Sequence, residues 1–224
     1  MPKFQTNSEE FLSEILTVIK DVSMKFNNQN IKLVDEFSKD AGVWERYTLK
    51  EHVLLVLNQF SKYDIFDGVT LPSNIDSNVF RAMLVFHDLG KPYAISLGDK
   101  RLQGSYNKIF LEKVQPKISS KNVELFAELV SVDILGGYVK QQQNLENTFS
   151  LIVQHAKNCG VSVREYYILL KIYYMCDAGS YTADSGGQKS LDFQFKFDHK
   201  NRTISFSDKV APRIQQLDKI ILQK

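Results

Sequence analysis

The sequence predicts an all-α protein carrying one small β-hairpin near its C-terminus. Helix-capping signatures recur ahead of segments whose apolar residues follow the 3.6-residue helical period. Near the C-terminus the pattern changes to apolar/polar alternation in LDFQFKF and TISFS, on either side of HKNR. A composition of 43% hydrophobic and 24% charged residues over 224 positions belongs to a chain that can bury a sizeable core. One domain over residues 1–224 is expected, with a central region of about 44–184 and the hairpin and a last helix over about 190–224.

In chain order, Thr6 and Glu9 make a capping box ahead of FLSEILTVIKDVSMKF, where Phe11, Ile15, Val18, Ile19 and Val22 share a helical face. Thr48 and Glu51 repeat the device before HVLLVLNQF. Asp76 or Ser77 caps NVFRAMLVFHDLG, and Gly90 with Pro92 supplies its stop. KNVELFAELVSVDIL and NLENTFSLIVQHAKNC read as two further helices separated by GGYVKQQQ. Ser162 and Glu165 cap YYILLKIYYMCDA, whose dense aromatics (Tyr166, Tyr167, Tyr173, Tyr174) read as core. After the hairpin, a helix from about Asp208 to Leu222 meets Pro212 early in its course. No internal repeat, low-complexity tract or composition break marks a linker.

The charge balance narrows the partners. Lys and Arg exceed Asp and Glu by 28 − 26 = +2, so no overall field draws a polyanion, and a nucleic acid would need a local patch. Cys159 and Cys176 fall in helical segments and read as packing residues, which points to a reducing compartment. No window approaches the roughly 18 apolar residues of a membrane span, and the N-terminus has no signal-peptide pattern. A cytoplasmic protein without membrane attachment is the expectation.

The chemistry concentrates in VFHDLGKP, residues 85–92. His87 and Asp88 follow an apolar run in which Phe80, Met83 and Leu84 can face a core, so the pair is expected on the last turn of an inward-facing helix. An inward carboxylate needs a partner, and a divalent cation satisfies an imidazole and a carboxylate together. Adjacent helical residues diverge by roughly 100°, so further ligands must come from elsewhere. His52, in the first turn of its capped helix, and Asp177, closing a long apolar helix ahead of Ala178 and Gly179, are suited to the task. Asp133 is the second choice for the last position, and Asp184 also competes.

His52, the pair His87-Asp88 inside HDLGKP, and Asp177, in that order along a helical chain, resemble the H…HD…D signature of the HD-domain superfamily of metal-dependent phosphohydrolases. The resemblance covers roughly residues 44–184. HDLGKP is similar to the form found in HD domains attached to bacterial RNA nucleotidyltransferases, and WERYTLKEH and CDAGSYTADSGG to stretches of small bacterial HD proteins. It implies an HD-type helical bundle in which the four side chains bind a divalent metal. The expected activity is hydrolysis of a small phosphorylated substrate, such as a nucleotide, a phosphodiester or an RNA end.

Binuclear members of that superfamily add two histidines between the HD pair and the final aspartate. Here SLGDKRLQGSYNKIF has none, His155 reads as a surface or hydrogen-bonded residue, and His199 as a solvated turn, so one ion is expected. Mixed imidazole and carboxylate ligation leaves Mn, Co, Ni, Fe, Zn and Mg open. Lys91 is the favoured cation for the substrate phosphate, with Lys100 and Arg101 behind it. Glu51, or Asp88 while coordinated, is the candidate general acid. Tyr181 and Thr182 could contact substrate or a ligand, and Gly186-Gly187 lacks the context of a phosphate loop. Two other readings stand beside the hydrolase: a metal-binding regulatory or interaction module, and a di-iron oxygenase, which the shortage of histidines disfavours.

Overall fold

A computed structural model describes residues 7–26, 28–42, 47–181 and 188–223. It is mostly helical, 64% helix and 10% strand, as the capping signals require. Among the described residues no helix is long and apolar enough to cross a membrane. The chain divides into two compact units, Met1–Asn58 with Ile75–Ser131, and Gln59–Asn74 with Val132–Lys224.

The first unit opens with α1 (Ser8–Ile19), which buries Phe11, Leu12, Ile15 and Ile19. Its cap is Asn7, whose Oδ1 accepts from Glu10 N at 3.0 Å, rather than the expected Thr6, which lies outside the described residues. The helix also stops sooner than its apolar period suggests. SMKF alternates in type and forms β1 (Ser23–Phe26), antiparallel to β2 (Gln29–Lys32), with Ser23 opposite Lys32. Asn28, at φ 62°, provides the left-handed residue of the connecting turn. A 3-10 turn over Leu33–Ser38 buries Leu33 and Phe37.

The capping box before α2 (Leu49–Lys62) is present: Glu51 Oε2 accepts from Thr48 N at 2.7 Å, and Thr48 Oγ1 accepts from Glu51 N at 3.3 Å. Asp76 caps α3 (Ser77–Phe86) through Asn78 N and Val79 N. Every residue from Val79 to Phe86 is buried, so α3 is a central helix with no solvent face. Pro92 does not end that helix. It sits in the first turn of α4 (Lys91–Ser96), where its missing N–H costs nothing, and residues 87–90 form the turn between the two.

The longest helix of this unit, α5 (Gln103–Ile118), was not among the expected elements. It packs on α3, α4 and α6 (Val123–Ser131) through Tyr106, Phe110, Leu111 and Val114. Phe80 of α3 meets Phe126 of α6 edge-on at 6.0 Å, and Phe26 of β1 meets Tyr93 and Tyr106 edge-on at 5.7 and 5.3 Å. Each such ring removed from water contributes about 1.5–3 kcal/mol. Gly104 lets α5 approach α6, since a Cβ there would fall 2.0 Å from Ser131 O.

In the second unit the helix expected over KNVELFAELVSVDIL does not continue past Ser131. Asp133 turns the chain and caps α7 (Ile134–Val139), its Oδ1 accepting from Gly136 N at 2.8 Å. Then follow α8 (Leu145–Asn158) and α9 (Val163–Asp177), the latter capped as expected by Ser162 through Glu165 N at 3.1 Å. The C-terminal hairpin is present, though shorter than its alternating pattern. LDFQ belongs to α10 (Gln188–Gln194), and only β4 (Phe195–Asp198) pairs with β5 (Thr203–Phe206). A two-residue strand, β3 (Ile65–Phe66), adds in parallel to β5, giving the order β3-β5-β4. Pro212 again starts rather than interrupts a helix, α11 (Ala211–Ile221). Cys176 is buried and Cys159 is half-buried, in line with packing roles.

Candidate metal centre

His52 enters the first unit's interior from the first turn of α2, where its N–H already bonds Thr48 O at 3.0 Å. Its ring is fully buried and stacks on Tyr47, with centroids 5.9 Å apart and planes 11° apart. His87 caps the C-terminus of α3, one position beyond the helix rather than in its last turn, because the turn toward Pro92 has begun. His87 Nδ1 lies 2.7 Å from Leu84 O. A carbonyl only accepts, so Nδ1 carries the proton, and the neutral ring presents the Nε2 lone pair.

His87 Nε2 points at His52 Nε2, 3.2 Å away. Asp88 Oδ2 completes a triangle, 3.6 Å from His52 Nε2 and 3.8 Å from His87 Nε2. A point equidistant from three atoms so separated lies about 2.1 Å from each, the distance at which imidazole nitrogen and carboxylate oxygen ligate zinc-sized ions. Two buried imidazoles and one carboxylate oxygen therefore fit a small divalent cation, and the arrangement could hold one.

The Asp88 carboxylate is fixed on its other sides too. Its Oδ1 accepts from Gln103 Nε2 at 2.8 Å and from Asn107 Nδ2 at 3.3 Å, both on α5, and its Oδ2 accepts from Lys91 Nζ at 2.8 Å. Asn107 Oδ1 in turn accepts from Gly90 N at 2.9 Å. Gly90 is required by contact and not by backbone angle: a Cβ there would lie 2.3 Å from Tyr106 C and 2.4 Å from Asn107 N. The turn bearing the HD pair thus lies directly against α5. Gln103 and Asn107 escaped the sequence reading, although Tyr106, Phe110, Leu111 and Val114 carry a helical period that would have placed them on one face.

The other predicted site residues fall as follows. Lys91 is 4% exposed and bound to Asp88, so in this structure its ammonium is paired with that carboxylate. Glu51 is exposed and serves the cap of α2; its bonds from Thr48 N and Oγ1 hold its carboxyl below the usual glutamate range. Lys100 Nζ donates to Gly42 O at 3.1 Å. Arg101 forks onto Asp99 at 2.8 and 2.9 Å and is exposed. In the second unit, Asp177 closes α9 and Tyr181 follows the short turn after it, both half-buried. Thr182, Asp184 and Gly186-Gly187 lie outside the described residues. Asp133 is engaged as the cap of α7 and faces Lys140 at 3.4 Å. His155 stacks on Tyr166, and His199 Nδ1 lies 3.1 Å from Tyr63 OH in the exposed hairpin turn.

Comparison with protein-family models, with curated proteins and with solved structures finds no match to this chain.

Proposed function

We propose that the chain is a metal-dependent phosphohydrolase on an HD-type helical bundle, cleaving a nucleotide or phosphodiester, with His52, His87 and Asp88 holding one divalent cation and Asp177 assigned to the set by its place in the H…HD…D order. The observation that carries the reading is the triangle of His52 Nε2, His87 Nε2 and Asp88 Oδ2, with edges of 3.2, 3.6 and 3.8 Å. Asp177 joins the set from the order of residues along the sequence.

When bound, such an ion lowers the pKa of a water and polarises a phosphoryl oxygen. The chain's own residues prepare for this. Leu84 O holds His87 in the tautomer that leaves Nε2 basic, and burial of both rings keeps bulk water from competing for the donors. Attack by water on phosphorus forms one P–O bond as the ester P–O bond breaks, and the departing oxygen needs a proton. Asp88, which only accepts in this structure, could take the attacking water's proton and pass it to that oxygen, whereas Glu51 is committed to its cap. Lys100, Tyr181 and, next to Tyr181 in sequence, Thr182 are the candidates for the substrate side.

One observation favours a non-catalytic metal-binding module instead. Lys91 is held by Asp88, Arg101 by Asp99, and Lys100 donates to Gly42 O, so all three cations expected to meet a phosphate are engaged within the chain.

The test is metal analysis of the purified protein, followed by hydrolysis of bis-p-nitrophenyl phosphate, p-nitrophenyl phosphate and a nucleotide panel with Mn, Co, Ni, Fe, Zn and Mg. Hydrolysis that disappears in His87→Ala and Asp177→Ala is the expected result. Bound metal with no turnover on any substrate moves the assignment to the non-catalytic module, two irons per chain with oxygen uptake to an oxygenase, and no metal binding overturns all three.

A further inference from the structure

We infer that Gln103 and Asn107 of α5 are positioning residues of the metal centre, taking up Oδ1 of Asp88 so that this aspartate offers a cation one oxygen, Oδ2, and not both. The inference rests on the metal-binding reading above and extends it to residues outside the H…HD…D signature.

Four features carry it. Gln103 and Asn107 are four residues apart on one helix, so their amides reach the same point from consecutive turns, and both donate to the same oxygen. The orientation of the Asn107 amide is set by its second bond: Oδ1 accepts from Gly90 N, which turns Nδ2 toward Asp88. A flipped amide would set two donors face to face at Gly90. Both donors are also neutral, so they hold Oδ1 without adding to the positive charge that Lys91 already places beside the carboxylate. Lastly, Oδ2 takes the Lys91 bond and faces both imidazole nitrogens, 3.6 and 3.8 Å away.

A bland account would make these bonds ordinary satisfaction of buried polar groups. It explains Asn107, which is 2% exposed. It does not explain Gln103, which is half-exposed at the start of α5 and could bond to water at no cost, yet makes the shortest amide bond to Asp88.

The experiment is a Co2+ titration of the full chain, read by affinity and by the visible absorption of the bound ion, for the wild type, Gln103→Met, Gln103→Ala and Asn107→Asp. Without Gln103 the Asp88 carboxylate is less firmly oriented and Oδ1 can rotate toward the ion, and the lost orientation is expected to weaken Co2+ binding about tenfold in both Gln103 variants. Their absorption band should be weaker and shifted, as higher coordination requires, with metal-free thermal unfolding close to wild type. Asn107→Asp keeps an acceptor for Gly90 N but sets a second acceptor against Oδ1, and should shift the same band. Wild-type affinity and spectrum in all three variants overturn the positioning role alone. Absence of Co2+ binding by the wild type overturns the metal reading and this inference with it.

Discussion

His52 Nε2 stands 3.2 Å from His87 Nε2 with both rings fully buried and tilted 51° to one another. Because His87 donates through Nδ1 to Leu84 O, one proton on His52 Nε2 suffices to bridge the two nitrogens. A cation ligated by both lone pairs would replace that single bond with two stronger ones. Binding to the folded state alone raises stability by about 2.7 kcal/mol at an ion concentration one hundredfold above Kd. For a chain of this size that is about 5–11 °C in Tm. The wild type should show this increase in a thermal melt with Co2+ or Zn2+, and His52→Ala and His87→Ala should not. Equal shifts in all three proteins would mean that the ion binds elsewhere.

Gly90→Ala tests how tightly the HD turn is pressed on α5. The new methyl would sit 2.3–2.4 Å from backbone atoms of Tyr106 and Asn107, which cannot swing aside as a side chain can. The turn must lift, breaking the Gly90 N to Asn107 Oδ1 bond and moving Asp88 from its amide donors. Overpacking of this kind costs about 1–3 kcal/mol. We expect a Tm lower by several degrees together with loss of metal binding. A melt within 1 °C of wild type would show that the contact is slack.

These two sites were unequally legible in the sequence. HDLGKP announces itself by residue type, and His52 by its position after the Thr48/Glu51 box, so the unit's two imidazoles and Asp88 were legible there. The clamp on Asp88 was not, because α5 hides its identity: Gly104 and Pro116 punctuate it, and its polar residues are not segregated to one side. Gly104 is there to let α6 approach, and Pro116 is carried inside the helix, two residues before its end. The same ambiguity worked in reverse at Pro92 and Pro212. Each reads as a stop but sits in a first turn, which is where proline is best tolerated. The segment after α1 was misread because Met24 and Phe26 satisfy both a helical and an alternating pattern, and only the pairing with β2 decides between them.

Glu36 and Glu51 should tilt the pH dependence of stability in opposite directions. Glu36 is 1% exposed; Lys39 pairs with Oε1 at 2.7 Å, and Oε2 meets no hydrogen-bond partner among the described residues. Burial raises its carboxyl above the glutamate value of 4.5, so the ionised form is disfavoured in the fold. The penalty is full at neutral pH and is relieved as pH falls through the raised folded value. Glu51 is lowered by its bonds from Thr48, so its contribution is present above 4.5 and is lost as pH falls through the depressed folded value. Glu36→Gln should therefore be more stable than wild type at pH 7, on the order of 1 kcal/mol, with the gap closing below pH 4.5. Glu51→Gln should be less stable than wild type at pH 7, its deficit shrinking in acid. Urea titrations of the three proteins at pH 7 and pH 4 read both signs, and parallel curves would contradict the assignment.

Lys171 supplies the last test, because it is the one fully buried lysine among the described residues. It bridges Asp67 Oδ2 at 2.6 Å and Asp218 Oδ1 at 3.1 Å, and Asp218 Oδ1 also accepts from Tyr167 OH at 3.0 Å. The network ties α9 to α11 and to Asp67, which holds the left-handed angle φ 50° just after β3. Removing one partner from a buried ion network costs about 3–5 kcal/mol when the remaining charge stays dry. Asp67 and Asp218 are 21% and 23% exposed, so water would recover part of that, and Lys171→Met should cost about 2–3 kcal/mol. Tyr167→Phe removes one hydrogen bond to Asp218 and should cost about 1–2 kcal/mol. Neither residue belongs to the proposed metal site, so both variants should keep wild-type Co2+ affinity while folded. A Lys171→Met protein within 0.5 kcal/mol of wild type in urea would mean that α11 is held to α9 by its apolar contacts, Ile214 and Leu217, and that the ion network is incidental.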